Sequence, residues 1–195
     1  MEKIRLDPNQ IPPMPVALAG TVVAGRVNFM AAGWITRVGY KPPLIGVSIN
    51  HRQLTGSGIL ETGAFSLCFP GPALVEKTDY CGLVSGRNAD KSAVFDVFYG
   101  ETPGAPMVRE CPLCLELRLY QTVELPSNRF FIGEIVAAWA DGEVLTDGKV
   151  DVEKYQPLLL TMPDNRYWSL GRVVADAWSV GKKLKKGDDH ESTGH

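Results

Sequence analysis

Twelve residues in the second half of the chain, CLELRLYQTVEL from Cys114 to Leu125, alternate apolar and polar side chains almost without interruption. Successive side chains on a strand point to opposite faces, so such a run buries one face and wets the other only as β-structure. Pro126-Ser127-Asn128 has turn chemistry, and Phe130 to Trp139 (FFIGEIVAAW) reads as the returning strand. A long antiparallel hairpin follows, and the remaining segments must be compatible with it.

Most of them are strands too. Val16 to Ala24 (VALAGTVVA) is small and β-branched, and Gly25-Arg26 suits a tight turn into Val27-Asn28. Ala31 to Arg37 and Leu44 to Ile49 predict two more strands, with Gly39 and Pro42-Pro43 between them, so that four strands form a meander. Leu54 to Glu61 predicts a short helix with Thr55 as N-cap and Gly63 just past its end. Ala64 to Phe69 reads as a buried strand stopped by Pro70-Gly71-Pro72, and Ala73 to Val84 has amphipathic helical spacing. The polar SGRNADKS loop comes next, and Tyr155 to Thr161 predicts a last short strand. Residues 1–182 are expected to form one domain and 183–195 a disordered polar tail, which has no apolar periodicity to pack. The fold class expected is mainly β with a few short helices, an antiparallel barrel without the long parallel crossovers of a Rossmann fold.

Composition excludes several functions. The 195 residues suffice for one generous core, and 20 Lys plus Arg against 22 Asp plus Glu leave no general surface for nucleic acid or anionic membrane. No apolar stretch approaches the roughly 18 residues of a membrane helix. Prolines at 8, 12, 13 and 15 interrupt any secretory h-region, so a soluble, cytoplasmic protein is expected. Four cysteines are too few for a disulfide framework, and Cys111-Pro112-Leu113-Cys114 is a lone CxxC without histidines beside it, which favours a structural or incidental role over zinc. Gly56-Ser57-Gly58-Ile59-Leu60-Glu61 has Glu61 where a dinucleotide fingerprint needs its third glycine. No P-loop is present, and His51 is the sole histidine outside the tail, too little for a hydrolytic triad.

Two polar clusters stand out. Asn50, His51, Arg52 and Thr55 lie where a strand ends and a helix starts, a place where free amides and a guanidinium can meet an anion; Arg52 as a solvated loop charge and Thr55 as a mere cap is the plainer alternative. The second runs Ser85-Gly86-Arg87-Asn88-Ala89-Asp90-Lys91 and reads by itself as an ordinary solvated loop. At the start of the predicted strand Ala31 to Arg37, Ala31, Ala32 and Gly33 are small enough to let a ligand approach the backbone.

The order of NFMAAGW from Asn28, Pro42-Pro43, an alternating strand and the Asn50 to Thr55 cluster resembles the flavin reductase-like family, whose members bind FMN in a split β-barrel. The stretch Asp79 to Lys91 similarly resembles the DxxGxxSGRxxDK region of flavoredoxin-like proteins. The resemblance implies a cofactor-binding set of Asn28, Ala31, Ala32, Gly33, Trp34, Ile35 and Thr36 along the flavin ring, with Asn50, His51, Arg52 and Thr55 at the phosphate. It adds Ser85, Gly86, Asp90 and Lys91 near the ribityl chain, Lys91 being the second phosphate cation, and Cys81 as a small apolar neighbour. Trp34 either contacts the ring or packs in the core. Tyr167 and Trp168, in a segment similar to the family's YxxLG, either stack on the flavin or substrate or fill the barrel mouth or a dimer interface. Arg129-Phe130-Phe131-Ile132-Gly133-Glu134 resembles the family's FIGEV strand, but Asn128-Arg129 stands where a histidine often precedes the aromatics. The family implies a homodimer, no catalytic side chain and no metal. Its members either reduce flavin with NAD(P)H or carry electrons through bound FMN to a protein partner; a barrel that has lost flavin is a third outcome.

Overall fold

The computed structural model describes residues 1–185. Seven strands form one antiparallel sheet: β1 (Ala17–Val23), β2 (Arg26–Ala32), β3 (Ile35–Gly39), β4 (Leu44–Asn50), β5 (Ala64–Phe69), β6 (Leu113–Glu124) and β7 (Asn128–Ala140). Helix α1 (Leu54–Thr62) lies between β4 and β5, and α2 (Val75–Leu83) follows β5. The strand order is β2-β1-β5-β6-β7-β4-β3.

That order shows why the sheet curls. β2 and β3 are its opposite edges, yet only Gly33 and Trp34 separate them in the chain. Flat, seven strands at the usual spacing put the edges about 29 Å apart. Three peptide steps span about 11 Å at most. The sheet therefore bends until its edges approach without pairing, which is a barrel with a split at Gly33-Trp34. The predicted meander is corrected accordingly: the four N-terminal strands are two hairpins on opposite sides of the split, and the single strand expected from Ala31 to Arg37 is broken in the middle. The first turn is Ala24-Gly25 rather than Gly25-Arg26; both residues have positive φ, 47° and 74°, as a two-residue hairpin matching strand twist requires.

The barrel interior is filled from alternate positions of the strands, by Ala17, Ala19, Val47, Phe65, Leu67, Leu117 and Phe131, with Ile59 of α1 closing one end. A second cluster lies outside the sheet, where Leu18, Phe29 and Cys68 meet Leu74, Cys81, Met107 and Val108. β1 is thus covered on both faces, and its continuous apolar run follows from that.

The long hairpin forms as its alternation predicts, with register shifts at Ile132/Gly133 and between Ile135 and Ala137. One polar position is not solvated. Glu116 is fully buried, its carboxylate accepting from Trp139 Nε1 at 3.2 Å and from the Thr102 backbone N–H. Burial pushes its pKa up, but the bonds from Thr102 and Trp139 prevail and hold it below the ordinary 4.5. A depressed carboxylate contributes stability above its unfolded pKa and loses it as pH falls through the folded one. The stability gap between the parent and Glu116→Gln is expected to narrow as pH drops below 4.5, measured by denaturant titration across that range.

Local differences have simple causes. Gln53, not Thr55, occupies the N-cap of α1, while Gly63 caps its other end at φ 65° as expected. Tyr155 ends a helical turn (Val152–Tyr155), so the last predicted strand shrinks to Leu159–Thr161, and Arg166–Trp168 pairs with it. Lys182–Lys185 forms a helical turn; the rest of the expected tail lies outside the described residues. No described helix is long and apolar enough to cross a membrane.

Candidate functional site

The split in the barrel opens an apolar cleft of about 550 Å³. It is lined by Gly33, Trp34, Ile35 and Thr36 with Ser48 and Phe130, and by Met14, Met162 and, from the N-terminal segment, Pro8, Asn9, Ile11 and Pro12. The volume falls within the roughly 300–1,000 Å³ of small-molecule sites. Phe130 lies directly over Gly46, where no Cβ could fit beneath its ring. Trp34 is 48% exposed, so of the two roles open to it, core packing does not apply.

Asn50 sits two residues beyond Ser48 on β4, on the same face and about 6–7 Å further along. It begins a polar hub around the first turn of α1. Asn50 Oδ1 accepts from the Arg52 N–H at 3.0 Å, and Arg87 Nη1 donates to the Arg52 carbonyl at 2.8 Å, tying the Ser85 to Lys91 loop to the turn. Beneath them Asn28 and Thr55 are both buried, with Asn28 Nδ2 donating to Thr55 Oγ1 at 2.8 Å. Gly86 packs on Asn28 so closely that any side chain there would displace the amide. Two small polar pockets flank the hub, one of about 270 Å³ with Arg26, Asn28, Gly86, Arg87 and Asp90, the other of about 170 Å³ with Asn50, His51, Ser57 and Arg129.

The start of α1 carries free donors of the kind an anion would meet. No side chain caps α1, so its first amides lack the usual partner, and among the described residues the Arg52 guanidinium has neither ion pair nor hydrogen bond. Thr55→Val removes the acceptor of Asn28 Nδ2 and leaves a buried amide unsatisfied. A loss of about 1–3 kcal/mol in denaturant-measured stability is expected.

Other sequence-predicted residues are placed differently. His51 bonds the Leu125 carbonyl through Nε2 at 2.9 Å, which ties the hub to the long hairpin. Lys91 is buried, with Nζ donating to the Cys81 carbonyl at 3.2 Å, so it caps the C-terminal end of α2; burial holds its pKa below the ordinary 10.5. Cys81 faces the outer cluster, and burial pushes its thiol up to about 11, which keeps it neutral. Ala31, Ala32 and Ser85 line neither the cleft nor the two hub pockets. Tyr167 and Trp168 lie in a separate pocket beside α2: Tyr167 donates to Asp79 Oδ1 at 3.0 Å, and burial with that carboxylate pushes its pKa up to about 12. Trp168 Nε1 donates to Thr161 Oγ1 at 2.8 Å. Of the Asn128-Arg129 pair that stands where a histidine was expected, Asn128 is buried and donates to Ser48 Oγ at 3.2 Å, while Arg129 pairs with Glu124.

Sequence reasoning missed the Pro8 to Pro12 segment, Met162 and Ser48, which line the same cleft as Trp34 although they lie far apart in the chain. It also read Arg26 only as a turn residue, whereas Arg26 and Asp90 line the same pocket. The four cysteines are free and buried, and burial raises the Cys68 and Cys111 thiols while Cys111 and burial raise that of Cys114.

Against known proteins, a family model described as a flavin reductase like domain matches residues 11–167. Flavoredoxin from Methanosarcina acetivorans is 51% identical, with TM-score 0.92 over 94% of this chain and 100% of that one. Flavoredoxin of Desulfovibrio vulgaris (Miyazaki F) is 35% identical, with TM-score 0.87 over 93% and 100%. An FMN-binding protein from Thermus thermophilus, solved with 1-cyclohex-2-enone bound, is 28% identical, with TM-score 0.76 over 90% and 100%. With an antiparallel split barrel, an apolar cleft at the split and four fifths of its length matched, the chain belongs to the flavin reductase-like domain family.

Proposed function

We propose that this chain holds FMN and passes reducing equivalents through it, with the ring at Gly33 to Thr36 and the phosphate at the start of α1. The observation that carries this reading is the division of chemistry along β4: among the described residues, Ser48 lines a cleft with no charged side chain, and Asn50, two residues on, opens a hub with a guanidinium free of ion pairs and uncapped helix amides. A ligand with a flat apolar end and a phosphate matches that division.

Bound FMN supplies hydride and single-electron chemistry at its ring. The protein's residues bind and orient. Trp34, Ile35 and Phe130 exclude water from the cleft, and the small Gly33 lets backbone groups reach a ring edge. Arg52 offers two N–H groups to phosphate oxygens, and the Asn28–Thr55 pair with Gly86 fixes the loop that carries Arg87. Lys91 holds the loop in position through its bond to the Cys81 carbonyl.

Likeness to two flavoredoxins over their whole lengths favours retained FMN and a protein partner over turnover with NAD(P)H. The engaged Asn128 and Arg129 support the same choice, since neither is free to act as the family's histidine. An absorption spectrum of the purified protein tests the reading: flavin bands that persist through gel filtration are expected, and a colourless protein that fails to bind added FMN defeats it. Steady-state oxidation of NADH or NADPH with free FMN present would instead establish the second reading, an NAD(P)H:flavin oxidoreductase.

A further inference from the structure

Phe130 stands opposite Ser48 in the β7–β4 ladder and Asn128 opposite Asn50, so Ser48 and Asn128 are diagonal neighbours on one face of the sheet. The Phe130 ring lies over Gly46, which has no Cβ to meet it, and Ser48 lines the cleft beside it. The Ser48 backbone is pinned as well, its N–H donating to the Trp34 carbonyl at 2.9 Å.

Three side chains here form an oriented relay of hydrogen bonds. Ser127 Oγ donates to Asn128 Oδ1 at 2.9 Å, and Asn128 Nδ2 donates to Ser48 Oγ at 3.2 Å. Asn128 is buried, and with its carbonyl oxygen turned to Ser127 its amide faces Ser48 as a donor. A hydroxyl that accepts still has one proton to give. Among the described residues Ser48 Oγ gives it to no protein group, whereas Thr36, the other hydroxyl lining the cleft, donates to the Arg37 carbonyl at 3.4 Å. The relay therefore ends in a free O–H at the cleft, with each bond polarising the next. None of its three groups ionises near neutral pH, and the described residues lining the cleft carry no charge, so the donor is neutral and little screened.

We propose that Ser48 donates this proton to a nitrogen or oxygen at the edge of the flavin ring, and that Asn128, held by Ser127, is the positioning residue that aims it. The inference rests on the FMN reading and adds to it a side chain that sets the redox potential. Ring heteroatoms gain electron density on reduction, so a fixed donor binds the reduced ring more strongly than the oxidised one and raises the midpoint potential. Asn128 acts only through Ser48: without it the hydroxyl is free to change rotamer and to turn away from the ring.

Spectroelectrochemical titration of the FMN-loaded protein tests this. Ser48→Ala is expected to keep FMN and to lower the two-electron midpoint by about 30 mV, equivalent to a tenfold smaller preference for the reduced ring. Asn128→Leu, which keeps the branched shape but forms no hydrogen bond, is expected to shift the midpoint the same way by a smaller amount. With both substitutions the midpoint should match that of Ser48→Ala alone, a non-additivity that a merely structural role for Asn128 does not produce. Circular dichroism checks that each variant is folded. An unchanged or raised midpoint in Ser48→Ala, or additive shifts in the double variant, overturns the proposal while leaving the FMN reading intact. A parent that binds no added FMN overturns both, so the two failures are told apart.

Discussion

Arg52→Ala is expected to weaken FMN binding by about 1.5–3 kcal/mol, the range for a hydrogen bond to a charged group, or roughly tenfold to 150-fold in dissociation constant. Arg52 stands in the turn just before the N-cap of α1, its guanidinium without an ion pair among the described residues, so its removal breaks no ion pair, and the loss should appear in the ligand titration rather than in stability. Arg52→Lys should recover part of the affinity, because a point charge satisfies the phosphate's field but not two oxygens at once. Fluorescence titration of the flavin-free protein measures both; an alanine variant with parent affinity would remove Arg52 from the site.

Gly20→Ala acts on the fold instead. A Cβ at position 20 would come within 2.5 Å of Ser66 Oγ and 2.6 Å of Phe29 Cε1, and nearer still to the Pro106 carbonyl. Ser66 is itself buried and donates to that same carbonyl, so the obstacle is backbone held by a hydrogen bond and no flexible side-chain tip can yield. Overpacking of this kind costs about 3 kcal/mol. For a chain this long that is a fall of about 6–12 °C in midpoint, measured by thermal unfolding. An unchanged midpoint would show that the 104–108 segment moves freely away from β1.

These two positions mark how far the sequence could be read. Arg52 was legible as an anion candidate because a strand end, a cation and a helix start were contiguous. Gly20 was not, since its contacts come from residues 29, 66 and 106. Strand types and most bounds followed from periodicity and turn chemistry, as with Ala64–Phe69, which matches its expected limits. The break at Gly33-Trp34 escaped notice because the residues there are locally strand-like, and only the sheet order reveals that the chain jumps from one edge to the other. Lys91 illustrates the converse: its charge suggested a phosphate contact, but burial against the Cys81 carbonyl gives it a structural duty that no local pattern discloses.

By itself, the sequence determined an antiparallel β-protein with a long hairpin, a family likeness and a compact set of polar residues at the start of a helix, because each depends on neighbours within a few positions. The tertiary structure alone decided that β2 and β3 face each other across a split, that the described residues lining the cleft there carry no charge, and that the N-terminal Pro8 and Pro12 are among them. Closing a sheet brings together residues separated by more than a hundred positions, such as Pro8, Phe130 and Met162, and side-chain periodicity holds no record of that distance.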